Sequence, residues 1–329
     1  MKLNNKFEIF IVTYNRENLL KDTINSLLNQ TVNNIKITVF DNGSTDGTEN
    51  YIKSVMEKHK NIFYRKNEKN NPKLFQQITN FVESEYVMFF HDDDLLHPQY
   101  VEYVLKLLDK YNNVDMILSP LTAFYNNQTI PFKQYNKVKY SIYKGKKNFV
   151  KHAYSQVFCG KYAIIFPNIV YKTANLNKAT DYYGIYGKIF DKIFAIDTVS
   201  DGLAIQFDSS FLHYRIHSNQ DTNNKSSAIS INNIANYNKF FKNILSKDLF
   251  SKLIYNLYTI LWLNDLYCWA KSDTFPDIKE YAEYMYKNGA SNRFARIFYN
   301  NKPVIIILRT IIKIRNLFNG YLPNIKTLK

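Results

Sequence analysis

"YVMFFHDDDLLHP", Tyr86 to Pro98, sets an apolar run against three consecutive acids, Asp92, Asp93 and Asp94. The run "YVMFF" reads as a short buried strand, and the acids mark its end. Like charges this close repel one another, so an ordinary strand end would not collect them. The whole chain carries a formal net charge of +15, with 43 Lys+Arg against 28 Asp+Glu. Its negative charge is therefore concentrated where a cation and phosphates would neutralise it. The competing readings are a solvated acidic turn and a helix N-terminus whose dipole favours acids.

Working outward, the segments on either side alternate in type. "FEIFIVTY", residues 7–14, reads as a buried strand, and residues 16–30 keep helical spacing through Leu20, Ile24, Leu27 and Leu28. "IKITVFD", Ile35 to Asp41, is a second strand running into the turn "NGSTDGT". "TENYIKSVMEKH" reads as a helix, "NIFYR" as a third strand, and a helix follows from about Pro98. This order predicts an α/β fold with a mostly parallel sheet covered by helices on both faces. Ligands in such sheets sit beyond the carboxyl ends of the strands. Residues 13–16, 41–46 and 91–94 are thereby expected on one rim.

Size and composition bound the rest. The 329 residues, 46% hydrophobic, suffice for a full core and a smaller second region. The basic excess predicts a polyanionic partner: a nucleotide, a nucleic acid or an anionic membrane. Two cysteines, Cys159 and Cys268, form neither a disulfide framework nor a zinc cluster and point to a reducing compartment. "MKLNNKFEIFIVTYN" carries Glu8 in its apolar stretch, unlike a signal peptide. The run "VIIIL", Val304 to Leu308, is far short of the ~20 residues that span a bilayer. The expectation is a cytoplasmic protein, peripheral at the inner face of a membrane. Residues 226–329 read as a basic helical region, with no acid after Glu283. Within it "NKPVIIILRTIIKIRNLF" mixes aliphatics with Lys302, Arg309, Lys313 and Arg315, which suits an anionic membrane surface or a contact between copies of the chain.

Four segments in order resemble the family-two glycosyltransferases of the GT-A fold: "IVTYNRENLLKDTINSLLNQT", "VFDNGSTDGT", "FFHDDDLLHP" and "LHYRIHSNQ". The resemblance spans about Phe7 to Gln220 and implies a GT-A catalytic domain over residues 1–225. It implies an inverting transfer from a nucleotide-sugar donor, UDP being the commonest nucleotide, to a surface-glycan or lipid-linked saccharide acceptor. Thr13, Tyr14 and Asn15 would line the base and ribose pocket, Asp41 would bond the base, and Ser44 would close the loop. Arg65, Asn70 and Asp92 are further candidates for nucleoside or phosphate contact. Asp93, Asp94 and His217 would hold Mn²⁺ or Mg²⁺. His91 stands where the family carries an acid, leaving it to bond a sugar or ribose. Asp191 is the candidate general base, with Asp181 and Asp197 as alternatives. Arg215 is left between phosphate and an acid partner.

Two other functional classes fit the sequence less well. A sugar nucleotidyltransferase uses a Gly-rich phosphate loop after the first strand, and "VTYNRENLL" contains no Gly. A basic nucleic-acid module has no recognised motif here, and the acid cluster opposes phosphate, so no nucleic-acid partner is expected.

Overall fold

The computed structural model describes residues 4–71, 74–125, 131–159, 166–176, 181–187, 190–218, 231–245, 278–289 and 326–328, with a few single positions between 255 and 296. Twelve strands are described. A nine-stranded sheet contains β1 (Asn4–Thr13), β2 (Ile35–Asp41), β3 (Ile62–Lys66), β4 (Tyr86–His91), β6 (Val114–Leu118), β8 (Val138–Lys144), β9 (Ile169–Lys172), β10 (Leu203–Phe207) and β12 (Lys326–Leu328). Its order is β12-β8-β10-β6-β9-β4-β1-β2-β3. The half made of β3, β2, β1 and β4 is parallel throughout, as the sequence order predicts. The other half is mixed: β9 is antiparallel to β4 and β6, and β8 is antiparallel to β10.

Successive strand residues point to opposite faces, and two cores follow. Ile9 and Ile11 of β1 meet Leu20, Ile24 and Leu27 of α1 (Glu17–Leu28) and Val104 and Leu107 of α4 (Tyr100–Lys110). Between those helices in the chain lie α2 (Thr48–Lys58) and the short α3 (Leu74–Ile78). Phe10, on the opposite face, joins Phe149 of α5 (Gly145–Cys159) and Ile193 and Phe194 of α7 (Phe190–Asp197), which follows α6 (Tyr182–Tyr186). Beyond residue 226 the described helices are α8 (Ile231–Leu245) and α9 (Ile278–Lys287). Tyr237, Phe241 and Leu245 of α8 belong to the same core as Phe10. The strand β12, in a region read from sequence as helical, pairs Lys326 with Tyr140. The basic segment from Asn301 to Phe318 lies outside the described residues. Among those described, no helix is long and apolar enough to cross a membrane.

Register places the chemistry. Thr13 lies opposite Asp41, and Val12 opposite His91, so the three strand ends share one rim. Directly after the acids, β5 (Leu95–Leu96) begins a second, three-stranded sheet with β11 (Leu212–Ile216) and β7 (Leu121–Tyr125). The sequence reading contained no such sheet, because each strand is short and its partners are distant. An aromatic cluster backs it: His97 meets Tyr135 at 4.9 Å and Phe211 at 5.2 Å between ring centres, and His213 stacks on Phe132 at 4.1 Å.

His213 makes this backing sensitive to acid. Burial, with a smaller push from nearby His97, lowers its pKa from 6.5 to about 4. Above pH 6.5 both folded and unfolded states are neutral, and its contribution to stability is complete. As pH falls from 6.5 toward 4, the unfolded chain takes up a proton that the folded chain refuses, and stability is lost. Such a group costs on the order of 1 kcal/mol per pH unit across that window. His213→Phe is therefore expected to flatten the acid-side decline in urea-unfolding free energy between pH 6.5 and 4. Equal slopes for the two proteins would remove His213 from that role.

Candidate active site

The rim begins with a loop held by its own polar groups. Asn15 follows β1 with φ 51°, a left-handed conformation that Asn tolerates better than most residues. Its amide donates to Ser44 Oγ at 2.9 Å, and its Oδ1 accepts from the Thr45 amide at 2.8 Å. Asp41 is fully buried; Oδ1 accepts from the Ser44 amide at 2.7 Å and Oδ2 from the Tyr64 hydroxyl at 2.6 Å. Burial, then the Asp41 carboxylate, pushes the Tyr64 hydroxyl far above its ordinary pKa, so it stays a donor. Each carboxylate oxygen keeps a second lone pair for a ligand. Tyr14 is 41% exposed beside buried Thr13.

Gly43 is required next. Its φ is +87°, and a Cβ there would lie 2.8 Å from the backbone carbon of Lys69. That close approach lets Asn42 reach across: its Nδ2 donates to Asn70 Oδ1 at 2.9 Å, and its Oδ1 accepts from the Asn71 amide at 2.9 Å and from Asn67 Nδ2 at 3.0 Å. Asn70 thus belongs to a clasp that fixes the loop after β3. Arg65 lies with its guanidinium 4.5 Å from the ring centre of Phe81. Asp46 joins two helix starts, accepting from the Glu17 amide at 3.1 Å and the Thr48 amide at 3.1 Å.

The three acids are buried: Asp92 is 3% exposed, Asp93 5% and Asp94 0%. Arg16, at the start of α1, places one guanidinium nitrogen 3.0 Å from Asp92 Oδ1 and 3.2 Å from Asp93 Oδ2. His217, just past β11, sets its Nε2 3.0 Å from the same Asp93 oxygen. Asp94 Oδ1 accepts from the Arg215 amide at 2.9 Å. The Arg215 side chain donates to the Asp93 carbonyl at 2.7 Å and to Asp22 at 2.9 Å, with its guanidinium 5.0 Å from the Phe124 ring centre. Of the two partners open for Arg215, the structure gives an acid, and that acid lies on α1. His91 and Asp94 approach to 3.5 Å.

These neutralising contacts are incomplete. Burial pushes Asp92 up to about 6; Arg16 pulls it back, while Asp93 pushes it further. Asp94 is likewise raised by burial, with His91 opposing. Asp92 Oδ2 and Asp94 Oδ2 are buried without a hydrogen-bond partner. Among the described residues, ligand atoms of His91, Asp93 and Asp94 lie within 4.8 Å of one another, close enough to share a metal ion. Carboxylate and imidazole donors with unsatisfied buried oxygens fit a divalent cation.

The three base candidates separate. Asp181 caps α6, accepting from the Gly184 amide at 2.9 Å. Asp197 pairs with Lys146 at 3.1 Å and accepts from the Tyr182 hydroxyl at 2.6 Å. Asp191, at the start of α7, accepts only a local bond from the Lys192 amide at 2.8 Å among the bonds described. Burial raises its pKa, opposed by Lys192 and, through space, by His91. Asp191 is therefore within electrostatic reach of the acid cluster. Sequence reasoning gave no role to Arg16 or Tyr64; the position of Arg16 inside the first motif was the signal available.

Comparison with known proteins agrees with this geometry. The model of glycosyl transferase family 2 matches residues 8–173. An uncharacterized glycosyltransferase of Methanocaldococcus jannaschii is 27% identical over 174 residues, covering 52% of this chain and 57% of that protein. The teichoic acid poly(glycerol phosphate) polymerase of Staphylococcus epidermidis is 24% identical over 173 residues, covering 52% of this chain and 22% of the polymerase. The matched part thus spans less than two thirds of either relative. Among solved structures, S. aureus TarS 1-349 in complex with UDP-GlcNAc superposes with a TM-score of 0.62 at 17% identity, covering 96% of this chain and 93% of that one. At such identity the likeness is one of fold, and it is the GT-A fold. With the family model covering half of its length and all three acids inside the match, the chain belongs to glycosyl transferase family 2.

Proposed function

We propose that the chain is an inverting glycosyltransferase that moves a sugar from a nucleotide diphosphate donor, UDP-linked, to a hydroxyl of a surface-glycan or lipid-linked saccharide. The observation that carries this reading is the buried acid triplet on the same rim as Thr13 and Asp41, inside the matched stretch. The UDP-GlcNAc bound to TarS and the teichoic acid product of the polymerase support the donor and acceptor classes.

In this reading Thr13, Tyr14, Asn15, Asp41 and Ser44 hold the nucleoside, and Asn70 keeps the facing loop in place. Arg65 and Asp92 complete the donor contacts. Asp93, Asp94 and His217 would hold Mn²⁺ or Mg²⁺, which when bound would offset charge on the departing diphosphate. Asp191 accepts the acceptor hydroxyl's proton as that oxygen attacks the anomeric carbon and the carbon–oxygen bond to the diphosphate breaks. A carboxylate whose pKa is raised by burial is a stronger base than an exposed one. Residues 1–225 form the catalytic domain, and the basic region 226–329 brings it to an anionic inner membrane face or to a second copy of the chain.

A panel of nucleotide sugars, assayed for hydrolysis with and without Mn²⁺, tests the reading; metal-dependent hydrolysis of a UDP-sugar is expected. Asp93→Ala is expected to abolish transfer and metal-dependent nucleotide binding, and calorimetry with UDP and Mn²⁺ checks it. Unchanged binding would remove Asp93 from the metal site. Asp191→Asn is expected to keep donor binding and to lose roughly 10²–10⁴-fold in transfer rate, the usual range for a general base. Wild-type turnover in that variant would move the role to Asp181 or Asp197.

A further inference from the structure

We propose that Arg16 is a built-in counter-ion that competes with a divalent cation for Asp93, and that cation binding displaces its guanidinium from the acids. This rests on the metal site of the glycosyltransferase reading and goes beyond it, since it gives the protein its own cation for the same carboxylates.

Geometry comes first. Arg16 ends the loop after β1, directly before α1. One guanidinium nitrogen lies 3.0 Å from Asp92 Oδ1 and 3.2 Å from Asp93 Oδ2. His217 Nε2 reaches the same Asp93 oxygen at 3.0 Å. A carboxylate oxygen has two lone pairs, so these two partners fill Asp93 Oδ2. An ion that takes this oxygen must displace one of them. The Asp92, Asp93 and His217 side chains are 4%, 7% and 7% exposed, whereas Arg16 keeps 24%. Arg16 is thus the outermost of the four, and its long side chain is the one that can swing aside into water.

Electrostatics points the same way. Two cations held against one buried carboxylate repel each other strongly where the dielectric is low. Three buried acids without a cation would cost the fold several kcal/mol each, and Arg16 offsets part of that cost. Asp92 Oδ2 and Asp94 Oδ2 remain buried without a hydrogen-bond partner, so the single charge of Arg16 leaves negative potential that a doubly charged ion satisfies better. The arginine therefore serves folding and lowers the affinity for the ion in the same contact.

The test uses the full chain without nucleotide, reading Mn²⁺ by loss of its free-ion electron paramagnetic resonance and stability by thermal melting in circular dichroism. Arg16→Gln is expected to bind Mn²⁺ on the order of tenfold more tightly, to melt lower without the ion, and to recover most of that loss at saturating Mn²⁺. Arg16→Lys keeps the charge without the planar fork and is expected to fall between. Unchanged or weaker Mn²⁺ binding in Arg16→Gln overturns the inference. So does a melting loss that Mn²⁺ fails to restore, which would make Arg16 a structural pair only. If Arg16→Gln does not fold without the ion, refolding in Mn²⁺ supports the inference and failure to refold at any Mn²⁺ concentration overturns it. Absence of Mn²⁺ binding in both the unaltered protein and a folded Arg16→Gln overturns the metal site itself, whereas equal binding by the two overturns only the competition.

Discussion

Three carboxylates buried side by side at the end of β4 must be neutralised, and much of the surrounding architecture answers that demand. A buried charge costs several kcal/mol unless it is paired and hydrogen-bonded. The neutralising groups come from two directions. The start of α1 contributes Arg16, which bridges Asp92 and Asp93. The strand β11 contributes the Arg215 amide to Asp94 and His217 to Asp93. Arg215 then ties β11 back to α1 through Asp22, so the two sources are held in register with each other. Arg16 is the ion-pair partner shared by Asp92 and Asp93, so its loss weakens the compensation of both at once.

The compensation stops short of completion, and this has functional meaning. Arg16 serves two acids with one nitrogen, and two buried carboxylate oxygens have no hydrogen-bond partner. A site fully satisfied by protein cations would have no electrostatic need for a metal. Here the folded chain tolerates residual negative potential at one rim of a basic molecule. A divalent cation bound there would relieve it and would turn the rim into a surface an anionic ligand can approach. Residues that break the ordinary rules of burial at such a rim are those expected to serve chemistry.

The Asp41 side of the rim obeys the opposite rule. Asp41 is as deeply buried as Asp94, yet both of its oxygens accept short bonds, from Ser44 and Tyr64. The Asn42 clasp and the left-handed Gly43 fix the opposing loops before any ligand arrives. A pre-ordered pocket lowers the entropy cost of binding. The rim therefore pairs a rigid, fully hydrogen-bonded half around Asp41 with an electrostatically unfinished half around the three acids.

Local pattern by itself determined the order of β1, α1, β2, α2, β3, β4 and α4, the parallel half-sheet, and the arrival of Thr13, Asp41 and the acids at strand ends. These follow from hydrophobic period and turn residues, which act over a few positions. The motifs also named the family, and they pointed to Asp191, which alone among the three base candidates is free of a capping or ion-pair role among the bonds described. Only the tertiary structure decided who neutralises the acids. Arg215 and Asp22 are 193 positions apart, and His217 and Asp93 are 124 apart, so no window of sequence contains either pair. The second sheet joins β5, a strand of only two residues, to β11 and β7, too little for any periodic signal. Tyr64 looked like one more strand aromatic until the fold set its hydroxyl on Asp41. Charge pairing and burial depend on distance in space, and chain folding creates those distances after the local pattern has done its part.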